Sequence, residues 1–212
     1  MVIQEAHDYF DLLCDKIESP YFSSEEKDIL ISQACIEFVK QLFPSNEGGV
    51  INVEIDQTTY SNIHSLVYGI NVAYANNVAL STIQTALNSA SASTEPWMYI
   101  LNVSLASGGV TYPVKYSKQN NHFANERNYF KKGSVEQPTY RLDSQYFRFS
   151  PSQILSGTPL GFTLIKQPKA VSLDDGVDIE LPEHCHKTIV EMAVNLASIS
   201  IREPELRQLN NG

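Results

Sequence analysis

Cysteine is scarce in this chain and its spacing has no order. Cys14, Cys35 and Cys185 are the only 3 in 212 residues. An odd, sparse set does not build a disulfide framework. These side chains read as buried, reduced thiols. Long apolar runs are missing too, and none reaches the length that spans a bilayer. Gln4, Glu5, Asp8 and Asp11 interrupt the opening stretch, so no secretory leader is expected. Glycine is thin, and the pairs Gly48-Gly49 and Gly108-Gly109 lack the spacing of a phosphate-binding loop. No G-x-S-x-G elbow supports a hydrolase. Basic charge is the minority, with 15 Lys and Arg against 24 Asp and Glu, for a net charge of −9. A protein that grips nucleic acid needs a basic face, so this balance argues against that as the main task. An acidic wall would still let DNA slide past without sticking.

What remains is an ordinary core-forming composition, 42% apolar and 18% charged. It predicts one domain with helical ends rather than a disordered chain. Residues 2–18 read as an amphipathic helix, with Ile3, Ala6, Phe10, Leu13 and Ile17 on one face. Pro20 stops it. Ser23 and Glu26 form a capping box for a second helix. Its stripe is Ile31, Ala34, Cys35, Phe38 and Leu42, and it ends near Phe43 before Pro44. Together residues 1–44 predict a helical hairpin or elbow.

The period then changes. Asn46 to Gly49 is turn-like, and Ile51, Val53 and Ile55 alternate with polar residues as a half-buried strand. Residues 63–74 favour a strand. Residues 79–93 are divided between a helix carrying Leu80, Ile83, Leu87 and Ala90 and a loose Ser/Ala-rich linker. Trp97, Tyr99, Leu101, Val103 and Leu105 predict one strand face. Ala106-Ser107-Gly108-Gly109 makes the turn, and Val110, Tyr112, Val114 and Tyr116 share a face of the return strand. Pro113 marks that strand as an edge, because proline cannot donate to a ladder on both sides. Tyr140 to Phe149 predicts a second hairpin around Asp143-Ser144, and Gly161 to Lys166 a further strand. The β-rich body therefore spans 50–173.

A C-terminal helix is expected over 182–203. Pro182 suits its first position and Glu183 its positive end. His186, Ile189, Val190, Ala193, Ala197 and Ile201 form its apolar stripe. Pro204 lies just beyond, and 204–212 reads as a polar tail. The fold class is α+β: a β-sandwich or barrel-like body with an N-terminal helical hairpin and a C-terminal helix.

Three clusters carry potential chemistry. His184-Cys185-His186 holds three zinc-capable side chains. Neighbours on a helix point about 100° apart, so positions 184 and 186 diverge, and a capped helix start is the plainer reading. No metal or cofactor is expected. Asp174-Asp175-Gly176-Val177-Asp178 lacks the full ligand ladder of a calcium loop and reads as a solvated turn. The third cluster is basic: Lys115, Lys118, Arg127, Lys131 and Lys132, with Tyr116, Phe123, Tyr129 and Phe130 interleaved. It can meet an acidic surface on a neighbouring subunit, stack single-stranded nucleic acid, or be a solvated loop. The first reading makes Lys115, Lys118, Arg127, Tyr129, Phe130, Lys131 and Lys132 interface residues. No residue is assigned a catalytic role.

Four segments follow a familiar order. They are the Phe10–Leu42 block with its Lys16-Ile17-Glu18-Ser19-Pro20-Tyr21-Phe22 bridge, and Asn128-Tyr129-Phe130 to Pro138-Thr139-Tyr140. The others are Phe162-Thr163-Leu164-Ile165-Lys166-Gln167-Pro168, and Leu181-Pro182-Glu183 leading into Ile189-Val190-Glu191-Met192-Ala193-Val194. In this order the chain resembles the neck, or head-to-tail connector ring, proteins of crAss-like and related tailed bacteriophages. The resemblance covers most of the chain except 57–96. It implies a virion structural protein, not an enzyme, assembled in the host cytoplasm. Its implied partners are copies of itself in a ring, the portal and other neck or tail proteins, with genomic DNA passing through the lumen and no membrane contact. Another tail or minor capsid protein, a β-sandwich binding module, or a small enzyme using Cys185 or the histidines are the alternatives.

Overall fold

The structure, a computed structural model, describes residues 1–16, 22–43, 56–73, 75, 77–117, 127–128, 133–134, 136–151 and 158–210, without the side chains of 15, 16 and 200–210. The strand expected at Ile51–Ile55 lies outside the described residues, as do Ile17 and the turn from Asn46. The chain divides into two compact units. The first is Met1–Pro44, Ile55–Leu66 and Pro168–Gly212; the second is Ser45–Glu54 and Val67–Gln167.

The first unit is helical. It contains α1 (Ile3–Lys16), α2 (Ser24–Leu42), α3 (Gln57–Ile63) and, after a 3-10 turn at Glu183–Cys185, the long α5 (His186–Asn210). The capping box forms as the sequence predicts. Ser23 Oγ accepts from Glu26 N at 3.3 Å, and Glu26 Oε2 accepts from Ser23 N at 2.8 Å. The Ser23 N–H and hydroxyl, both donating to its carboxylate, lower the Glu26 pKa from its ordinary value. The two N-terminal helices expected from the sequence are present. α1 and α2 pack chiefly on α5 rather than on each other. Ile3, Ala6, Phe10, Ile31, Ala34, Ile189, Val190, Ala193 and Ala197 are all buried, because each helix needs a partner for its stripe. α5 also passes through Pro204 to Asn210, so helix replaces the expected tail. A proline removes one ladder donor, but the turns on either side keep theirs.

Polar groups pin α1, α2 and the 171–178 segment together. His7 Nε2 donates to Asp28 Oδ1 at 2.8 Å, and Asp28 Oδ2 accepts from Leu173 N at 3.1 Å. Buried Lys27 reaches Asp11 at 2.6 Å. Ser32 Oγ accepts from Val171 N at 3.0 Å, and Asp178 Oδ1 from Ile3 N at 2.6 Å. Buried charges persist where they are paired in this way.

Among the described residues the second unit holds two four-stranded sheets. Its strands are β1 (Val67–Ala73), β2 (Asn77–Ala79), β3 (Trp97–Ser107), β4 (Val110–Pro113), β5 (Lys115–Tyr116), β6 (Thr139–Asp143), β7 (Tyr146–Ser150) and β8 (Pro159–Lys166). The first sheet runs β1-β8-β3-β4 and the second β2-β7-β6-β5. All pairings are antiparallel except β5 with β6. The body is α+β with two separate sheets, and it is not a closed barrel. Pro113 ends the edge strand β4, as its missing donor predicts. Val114 N still bonds Val103 O in the first sheet at 2.8 Å, and Lys115 N bonds Pro138 O in the second at 2.9 Å. The chain thus changes sheets at one peptide, and the expected common face of Val110 to Tyr116 is broken there. Val110 is exposed and Val114 buried.

The expected face of β3 is also corrected. Register shifts fall between Trp97 and Tyr99 and between Ile100 and Asn102. Each inserts a residue and reverses the phase of the alternation. Ile100, Val103 and Leu105 are therefore buried, while Leu101 is only half-buried. The turn is tighter than the four residues expected. Gly108 and Gly109, at φ 60° and 80°, make a two-residue link of the kind that needs positive φ twice. Of the segment favoured as strand, only Val67–Ala73 is one; Ile63 closes α3 and a 3-10 turn follows.

Residues 79–93 resolve as helix, α4 (Leu80–Ser91). No side chain caps it. Leu80 N instead bonds Gln145 O of the second hairpin at 2.9 Å. Gln84 ties its other face to β3, donating to Glu95 O at 2.9 Å and accepting from Trp97 N at 3.3 Å. Ile83 and Leu87 join one core with both sheets, while Ala90 is exposed. Phe147 is its centre, with ring centroids 5.5 Å from Phe162, 5.8 Å from Tyr140 and 6.5 Å from Trp97.

Candidate subunit interface

The second hairpin builds a face. Along β6 and β7 the inward residues are Tyr140, Leu142, Phe147 and Phe149. Alternation sends Thr139, Arg141, Asp143, Tyr146, Arg148 and Ser150 to the other side. In β5 Tyr116 joins the inner aromatics, 5.5 Å from Tyr140 between centroids, and Lys115 turns outward. The parallel pairing of Lys115 with Thr139 puts Lys115 on the same outer face as Arg141 and Arg148. This face carries three described bases against one acid, Asp143, in a chain of net charge −9.

Arg141 and Arg148 are direct cross-strand partners. Like charges placed opposite each other are destabilising. Arg148 Nε is balanced by Asp143 Oδ2 at 2.8 Å. Arg141 has no such help. Arg141 is half-buried, and its Nε is shielded from solvent without a hydrogen-bond partner among the described residues. Tyr146 stands beside the pair, 44% exposed.

Of the interface residues expected from sequence, Lys115 is exposed on this face and Arg127 is exposed outside the sheets. Lys118, Tyr129, Phe130, Lys131 and Lys132 lie outside the described residues. Arg141, Tyr146 and Arg148 escaped the sequence reading. Their signal was the period-2 alternation of the hairpin, which places both arginines opposite the aromatic side. The acidic counterpart is partly used internally: Asp11 holds Lys27, and Asp178 accepts from Ile3. Asp174 and Asp175 remain exposed at the tip of a hydrogen-bonded turn. Ser172 and Val177 close that turn with paired backbone bonds of 2.8 and 3.1 Å.

His184, Cys185 and His186 turn to different tasks. His184 Nε2 donates to Asn62 Oδ1 at 2.8 Å, and His186 Nε2 donates to Leu181 O at 2.6 Å. In both rings Nε2 is thereby the donor nitrogen, and among the described residues no group of three His, Cys, Asp or Glu side chains is placed to hold a metal ion. No protein-family model matches this chain, and no curated protein matches it.

All three thiols are buried. Burial pushes Cys35 up to about 12 and also raises Cys185. The nucleophilic form of cysteine is the thiolate, which these sites disfavour. Thiol titration of the native protein will therefore find no fast-reacting cysteine, and all 3 will appear on unfolding. A fast-reacting Cys185 in the folded protein would favour the thiol-enzyme alternative.

Proposed function

We propose that this protein is a virion structural protein, a subunit of a neck ring joining the capsid portal to the tail of a tailed bacteriophage. The observation that carries this reading is the order of its segments, which resembles such proteins from the first helices to the last. The two-sheet body with helices drawn from both ends of the chain is compatible with that resemblance. The burial of all three thiols, which raises Cys35 and Cys185, favours a scaffold over a thiol catalyst. In this reading the partners are copies of the chain, the portal and other neck or tail proteins, and DNA passes through the lumen without specific contact.

The test is the mass of the purified protein, alone and mixed with the portal and neck proteins encoded beside it, by light scattering and electron microscopy. A many-fold cyclic species in either condition is the expected result. A chain that stays monomeric or dimeric in both is not a ring subunit. Incorporation into tails or shells without ring formation would assign it instead to another part of the virion.

A further inference from the structure

We propose that the outer face of the β2-β7-β6-β5 sheet docks the acidic turn at 173–178 of a second copy of this chain. Arg141 and Arg148 take the carboxylates of that copy's Asp174 and Asp175, and Tyr146 supplies the packing surface. The proposal rests on the ring reading for its many-fold outcome, but the contact itself is read from this chain's own charges.

The isolated chain breaks a local rule of strand pairing. Two arginines face each other across β6 and β7, and Asp143 answers only one of them. Arg141 is left half-buried without a partner among the described residues, as is the side chain of exposed Lys115 without a hydrogen bond or ion pair. Such uncompensated departures from local consistency concentrate at functional sites. The ligand must be anionic and planar enough for a guanidinium fork, which carboxylates are. Arginine and tyrosine are also the residues that carry binding energy at interfaces.

The occupant follows from charge and shape. The 173–178 turn exposes Asp174 and Asp175, with backbone bonds Ser172–Val177 and Gly176 N to Leu173 O at 3.2 Å fixing its form. A turn already ordered loses little entropy on docking. A phosphate backbone would meet the same arginines, but three bases beside one acid fall short of the continuous basic face that phosphate binding needs. The sheet face and the turn are different surfaces, so the contact is heterologous, the kind that closes into rings.

Charge reversal and complementation test it. One variant carries Arg141→Glu with Arg148→Glu, and another Asp174→Arg with Asp175→Arg. Circular dichroism and melting confirm that each is folded. Each alone should self-associate at least tenfold more weakly than the parent by sedimentation. Mixed in equal amounts, they should regain association, because each presents the surface the other lacks. Should one reversal variant fail to fold, Arg141→Gln and Asp174→Asn carry the test, and both should weaken association. Parental assembly by the folded variants would overturn this contact and leave the ring standing. A parent that is monomeric alone yet forms rings with its neighbours would overturn it too. A parent that never assembles sinks both readings. Retention of an oligonucleotide by the parent, lost with Arg141→Glu and with no change in association, would assign the face to nucleic acid instead.

Discussion

Truncation after Leu181 will leave the protein insoluble or without its helical unit. α5 is the element on which both α1 and α2 pack. Its Ile189, Val190 and Ala193 are fully buried, and so are Phe10, Ala6, Ile31 and Ala34 on the other two helices. Burying one large aliphatic or aromatic side chain is worth about 1.5–3 kcal/mol. Losing several at once exceeds the roughly 5–15 kcal/mol that stabilises a whole domain. Short helices are marginal alone in water, so α1 and α2 cannot persist without that partner. Soluble yield and helical circular dichroism of the truncated chain measure this. A soluble product that keeps its α1 and α2 helicity would show that α5 is an appendage.

Phe147→Ala will cost about 3–5 kcal/mol of unfolding free energy, the range for removing a buried phenylalanine. The side chain is wholly buried, and its ring meets Phe162 across the core at 5.5 Å between centroids. That contact joins a residue of one sheet to a residue of the other, so the cavity opens where both sheets and α4 meet. Its neighbour Tyr146 points the opposite way, and Tyr146→Ala should change stability by no more than about 0.5 kcal/mol. Urea unfolding of the two variants measures both. Equal losses would mean that β7 has a different register, since a slip of one residue exchanges the two faces.

The elements legible in the sequence are those whose cause is local. Ser23 and Glu26 sit three positions apart, and the cap they make requires nothing else. Gly108-Gly109 and Asp143-Ser144 mark their turns because backbone conformation at these positions decides the link. The alternation from Thr139 to Ser150 already sorts core from surface. The edge role of Pro113 follows from a missing N–H. Pro204 shows the limit of such punctuation, since α5 continues through it.

The candidate face was half legible. Lys115 was singled out for its place in a basic stretch, but Arg141 and Arg148 are remote from that stretch in sequence. What unites them is the parallel pairing of β5 with β6, and that pairing has no local signature.

By itself, the sequence determined the α+β class, the helices at both ends, the two hairpins and an acidic chain without a recognisable catalytic motif. Those follow from caps, turns, periods and charge, which are properties of neighbouring residues. Only the tertiary structure decided that β8 lies between β1 and β3, and that the chain changes sheets at Val114. It alone decided that 80–91 is helix, that register shifts rephase β3, and that α5 serves both N-terminal helices. Strand pairing and helix docking join residues distant in sequence. Their energy comes from shared burial, which no short window of sequence contains.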